Sequence, residues 1–171
     1  MDLSFELVGP AEPRAREEID HLPEELEDFP TLVMVCCGIL EGAGYEFRIS
    51  GFGSSDWNFD VGYDMSTLIE GIPDLVDGMN KAGSAEVDLY SQGVERTLEF
   101  RLNGREVLIS CASRTSWRPD PPSITMDYGI LQRMFADLAK DFSRAVLEQA
   151  PELADFEPLN HWRTGDIGYS A

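Results

Sequence analysis

Asn103-Gly104 lies between the alternating run Val94 to Leu102 and the apolar residues Val107 and Ile109. Both residues accept the positive φ that a two-residue type I′ turn demands, so the dipeptide predicts a β-hairpin. A loop at 103 and 104 sets the expected register. Phe100 then lies opposite Val107, Leu98 opposite Ile109 and Arg101 opposite Glu106, so that apolar meets apolar and charge meets countercharge. An antiparallel sheet is therefore the frame into which the remaining segments must fit.

Further strands are expected on the same grounds. Leu3 to Leu7 alternates apolar and polar residues up to Gly9-Pro10. Thr31 to Leu40, Tyr45 to Gly51 and Trp57 to Tyr63 are β-rich runs separated by glycines and read as a meander. Ala85 to Ser91 supplies a strand ahead of the hairpin. The loop Ala112 to Pro122 is marked by prolines at 119, 121 and 122.

Two helices are predicted. The first begins after Asp64 or Ser66 as N-cap and carries Leu68, Ile69, Ile72, Leu75, Val76 and Met79 on one face. Pro73 predicts a kink or two short consecutive helices, and Ala82-Gly83-Ser84 closes the element. The second carries Ile130, Leu131, Met134, Phe135, Leu138, Ala139, Phe142, Ala145 and Val146, with charged residues opposite. The class that results is α+β: a mostly antiparallel sheet of about five to seven strands, with two main amphipathic helices packed on one face. A single domain is expected over 1–171, with an acidic arm or short helix at 11–29 and a C-terminal tail at 157–171 whose aromatic residues can pack back.

The charge constrains function more than fold. Acidic residues number 32 against 13 basic ones, a formal net charge of -19. Such a surface disfavours DNA and anionic lipid, which require clustered Lys and Arg. No apolar run approaches the roughly 20 residues of a membrane helix. The N-terminus lacks the basic and apolar regions of a secretory signal. Three cysteines, Cys36, Cys37 and Cys111, fit free thiols in a reducing compartment, so a cytoplasmic location is expected.

Several motifs invite chemistry and are better explained by packing. Asp56, Asn58 and Asp60 have the opening rhythm of a calcium loop, but Val61 and Thr67 stand where that loop needs glycine and glutamate. Trp57, Phe59, Val61 and Tyr63 alternate with them, as on a strand with one wet face. Cys36 and Cys37, adjacent on an expected strand, point to opposite faces and do not easily serve one tetrahedral metal site. No nucleophile elbow or phosphate loop is present, and no catalytic residue, metal or cofactor is expected.

Two surfaces remain as candidates for partner binding. The first is the acidic arm, with Glu17, Glu18, Asp20, Glu24, Glu25, Glu27 and Asp28 on a segment that has few apolar residues to hold it. The second is a mildly basic stretch with Arg96, Arg101, Arg105, Arg114 and Arg118. Within it Arg114, Trp117 and Arg118 form the candidate recognition patch, since Arg and Trp are enriched at interface hot spots. The alternative for these arginines is screening of neighbouring carboxylates.

In size, in acidity and in the acidic runs Glu17-Glu18-Ile19-Asp20 and Glu24-Glu25-Leu26-Glu27-Asp28, the chain resembles the small immunity proteins of bacterial toxin-immunity systems. The resemblance is one of general character and assigns no site. It implies inhibition without catalysis, in which acidic side chains occupy the cationic groove of a basic protein partner such as a toxin domain; the sequence leaves monomer and homodimer both open. The alternatives are an acidic secretion chaperone or adaptor, and an enzyme of unrecognised type.

Overall fold

The computed structural model describes residues 3–12, 26 and 28–168. Its class is α+β, with two antiparallel sheets and three long helices. Strand β1 (Ser4–Val8) pairs with β2 (Glu46–Ser50), placing Phe5 opposite Ile49 and Leu7 opposite Phe47. A second sheet runs in the order β3 (Ser84–Leu89), β4 (Arg96–Asn103), β5 (Glu106–Ser113) and β6 (Ser123–Asp127). β6 follows the proline-rich loop, in a segment that carries no strand in the sequence reading.

The run Thr31 to Leu40 is helical, not a strand. It lies in α1 (Phe29–Gly42). Its valines, cysteines and isoleucine imitate a strand by composition, but the signals that decide are local. Asp28 caps the helix by accepting from Thr31 N at 3.1 Å and from Thr31 Oγ1 at 2.8 Å. Pro30 sits in the first turn, where no N–H is needed. The buried side chains Leu32, Val33, Cys36, Cys37 and Leu40 recur at helical spacing and form one face.

The expected strand Trp57 to Tyr63 is also replaced. Trp57 and Phe59 are buried while Asp56, Asn58 and Asp60 are exposed, so the alternation holds, yet no ladder forms. From Val61 the chain enters a π-helix, Val61–Met65, and Tyr63 points out at 55% exposure. Asp60 Oδ1 accepts from Tyr63 N and Asp64 N, while Asp64 Oδ2 accepts from Asp60 N, a reciprocal cap on this turn. Helix α2 (Ser66–Ala82) continues directly and buries all six apolar residues expected on its face. It runs through Pro73 as one helix and ends on Gly83, whose φ of 64° makes the left-handed cap. Gly78 lets β3 approach, because a Cβ there would lie 2.7 Å from the Ser84 carbonyl oxygen.

The hairpin exists, but its loop is one residue later than expected. Asn103 pairs with Glu106, so Gly104 and Arg105 form the loop, and positive φ is found at Gly104 alone. That sign pattern belongs to a type II′ turn, which needs glycine only at its first loop position. Each partner moves by two residues: Phe100 faces Ile109, Leu98 faces Cys111 and Arg101 faces Leu108. A shift of two keeps every side chain on its face, so the apolar pairing survives while the expected Arg101–Glu106 pair does not.

Helix α3 (Tyr128–Gln149), capped by Asp127 on Ile130 N, spans both sheets. Phe135 is fully buried, with its ring 5.2 Å from Phe5 of β1 and 6.0 Å from Phe100 of β4. Burial alternates along β3 to β5, so the four-stranded sheet has one covered face, on which α2 and α3 pack, and one open face. The segment after α3 packs back through the short helix α4 (Leu159–Trp162): Leu159 and Trp162 are buried, and Trp162 meets Phe29 edge-on at 5.7 Å. Phe135→Ala removes the ring that both sheets share and is expected to cost about 3–5 kcal/mol of stability, measured by denaturant unfolding. A change below 1 kcal/mol, on the order expected of an exposed site, would contradict the bridge.

Candidate functional site

Of the expected partner-binding acids, Glu17, Glu18, Asp20, Glu24, Glu25 and Glu27 lie outside the described residues. Asp28 is placed, and its carboxylate is engaged as the cap of α1. The basic stretch is divided by the strand alternation. Arg101 and Arg114 stand on the open side of the sheet, where Arg101 pairs with Glu99 at 3.1 Å and Arg114 pairs with Asp88 at 2.7 Å and donates to Thr97 Oγ1 at 2.8 Å. Arg118 turns onto its own loop and donates to the carbonyls of Thr115 and Trp117. Trp117 is partly buried against the core. These three residues therefore do not form one free basic surface: Arg114 screens a neighbouring carboxylate, Arg118 holds a loop, and Trp117 packs inward.

What Trp117 packs on is Arg96. The Arg96 guanidinium lies 3.8 Å from the centroid of Trp117 and 4.3 Å from that of Trp57, and the two indoles are 5.8 Å apart, so they meet around it as a corner. Arg96 is on the covered face because the alternation that buries Leu98 and Phe100 also buries it. Desolvation lowers its pKa, with a small opposing contribution from the Cys111 thiol. Trp57 Nε1 donates to the Gly51 carbonyl at 3.2 Å, and Asp120 N donates to the Phe52 carbonyl at 2.8 Å, which ties the Trp117 loop to the segment 51–53. Gly53 is required there, since a Cβ would collide with the Asp120 carbonyl oxygen.

Backbone strain collects around this corner. Among the described residues three non-glycine residues have positive φ: Phe52 at 53°, Asn58 at 54° and Glu95 at 45°. Phe52 packs on Trp57 at 6.2 Å, Asn58 follows Trp57, and Glu95 precedes Arg96. Such conformations cost about 1–3 kcal/mol each, less for Asn, and persist where surrounding structure over-determines them. The sequence shows no sign of this grouping, because Trp57, Arg96 and Trp117 are far apart along the chain.

On the exposed side of the same segment, Asp56, Asn58 and Asp60 border an open cleft of about 370 Å³ with Glu41, Glu46 and Arg48. Arg48 is held by Glu46 at 2.8 Å. Asp56 accepts from Asn58 N at 2.8 Å, and Glu41 from Gly62 N at 3.3 Å, so backbone donors hold these two carboxylates in the lining of the cleft. The calcium-like rhythm thus becomes one wall of an acidic cleft. Among the described residues no group of three or more His, Cys, Asp or Glu side chains is placed to hold a metal ion.

All three thiols are free and buried. Cys36 and Cys37 sit side by side on α1, so the argument from opposite strand faces does not apply to them. Burial pushes Cys36 up to about 12 and Cys111 to about 11, and Cys37 is raised further by burial and by the charges of Cys36, Glu70 and Glu41. At neutral pH they are protonated and poor nucleophiles. Alkylation of native, unreduced protein is expected to be slow, whereas alkylation after denaturation should modify three cysteines by mass spectrometry.

Two carboxyls carry raised pKa values: Glu70 through burial and then the charge of Asp28, and Asp141 through burial and then Asp137. A raised pKa means that the folded state penalises the charged form. This contribution to stability is therefore present below the unfolded pKa and lost as pH rises through the folded one. Self-repulsion at -19 acts in the same direction. Thermal unfolding should show a melting temperature that increases as pH is lowered from neutral toward the ordinary carboxylate value of 4.5. A fall over that window would overturn the assignment.

No protein-family model, curated protein or solved structure matches this chain. Among the described residues no helix is long and apolar enough to cross a membrane.

Proposed function

We propose that this protein acts in the cytoplasm as a non-enzymatic binder that neutralises a basic protein partner, such as a toxin domain, by direct contact. The observation that carries the proposal is the way the charge is distributed. Arg48, Lys81, Arg101, Arg114 and Arg163 each hold a nearby carboxylate, so these cations are spent locally. The remaining acids are left to give the surface its sign. Glu41, Asp56 and Asp60 around the open cleft concentrate that field where a partner's Arg or Lys side chain can enter. The free, protonated thiols suit a reducing compartment. The arm from Glu17 to Asp28 adds carboxylates next to the start of α1 in sequence.

Electrostatic complementarity of this kind acts on the association rate and on choice of partner. The partner is to be sought first among basic domains encoded beside this chain, by one-to-one binding and loss of the partner's activity. Two charge-neutralised variants then test the reading. One replaces Glu17, Glu18, Glu24, Glu25 and Glu27 by Gln, and the other combines Glu46→Gln with Asp56→Asn. Stopped-flow association should slow by about tenfold or more at low salt for at least one of them. The deficit should shrink as ionic strength brings the Debye length to ~10 Å and below. If both associate as fast as the parent at every salt concentration, the acidic surface does not recruit the partner.

A further inference from the structure

Among the described residues, the covered face of the four-stranded sheet contains a cation without an anion. Arg96 is 7% exposed, and its Nε and Nη1 are buried without a hydrogen-bond partner. Among the described residues no carboxylate accepts from these two nitrogens, although the sequence holds 32 acidic residues. Five other basic side chains, all more exposed, do hold carboxylates. A second orphan lies in the same β3–β4 connection. Leu89 is the ladder partner of Arg96, and Ser91, two residues on, is buried with its Oγ unpartnered while its carbonyl accepts from Val94 N and Glu95 N. An uncompensated buried charge is among the most costly features a core can retain. Ring faces offset part of that cost for the cation but offer nothing to its N–H donors. The strained residues Phe52, Asn58 and Glu95 adjoin this corner, and strain of that kind gathers at sites that bind.

We propose that Arg96, in the aromatic corner of Trp57 and Trp117, forms a binding site for a small carboxylate. Its oxygens accept from the guanidinium, and its apolar body lies against the indoles. A monoanion fits because one desolvated cation balances one negative charge, whereas a dianion would leave a surplus charge out of water. This site is separate from the acidic cleft and from the partner proposed above, and it responds to salt in the opposite sense. The net charge of -19 repels a free carboxylate, so screening favours its binding and disfavours that of a basic partner.

The test uses the full chain with sodium benzoate as probe, benzamide as its neutral counterpart and inorganic phosphate as a second oxyanion. Calorimetric titration and thermal unfolding are read for the parent, Arg96→Met and Arg96→Lys. Benzoate is expected to bind saturably and raise the melting temperature of the parent, with affinity held or improved as salt increases, while benzamide and phosphate bind at least about tenfold more weakly. Arg96→Met should melt at or above the parent, because an apolar chain of similar length carries no unpaired charge, and should lose benzoate binding. Arg96→Lys should fold and lose about tenfold in affinity, since one compact ammonium does not reproduce the planar guanidinium. Indifference of the parent to benzoate, together with a sharp loss of stability in Arg96→Met, would make Arg96 a purely structural cation. Equal benzoate binding by parent and variants would place any benzoate elsewhere, and tighter binding of phosphate would overturn the carboxylate assignment.

Discussion

Phe135 touches both sheets, and the rest of the architecture depends on that contact. β1–β2 and β3–β6 are separate hydrogen-bonded sheets. What joins them is a ring on α3 set between Phe5 of one sheet and Phe100 of the other. A two-stranded ribbon is marginal by itself, so β1–β2 depends on this packing for its place. α2 and α3 then cover the face of the larger sheet that the strand alternation makes apolar, and α1 packs against both helices.

The same alternation that builds the core also carries a charge into it. Arg96 has the inward phase of β4, with Leu98 and Phe100, and no register of that hairpin can turn it outward without exposing both. Ring faces from Trp57 and Trp117 receive it instead of a carboxylate. A buried acid would bring its own desolvation cost. Both indoles attract the cation, and Trp57 remains apolar toward Phe52 and Phe59. The result is a core cation with idle hydrogen-bond donors beside a heavily acidic surface, two features of opposite sign that can serve different ligands.

Legibility in the sequence varied with the kind of signal. α2 and α3 were readable because their apolar faces repeat at helical spacing over many turns, and the apolar positions expected on α2 are all buried. With its β-branched residues α1 imitates a strand. Its true markers, Asp28 three residues before Thr31 and Pro30 in the first turn, are positional and outweigh composition. At 57–63 the burial alternation was right and the ladder was not, because alternation reports which side is wet and says nothing about whether a neighbouring strand is available. At the hairpin, Asn-Gly suits a type I′ turn at 103 and 104, whereas Gly-Arg suits the type II′ turn that forms one residue later.

By itself the sequence determined the α+β class, the faces of two helices, the existence of the central hairpin and the acidity of the surface. Each of these follows from residue type and short-range periodicity. Tertiary structure alone decided that Asp56, Asn58 and Asp60 face Glu41 across a cleft, that Arg114 and Arg118 are occupied locally, and that Trp57, Arg96 and Trp117 meet. These depend on how β2, β4 and the loop after β5 are brought together in space. That arrangement is set by side-chain packing across distant segments, for which a single chain of letters carries no local period.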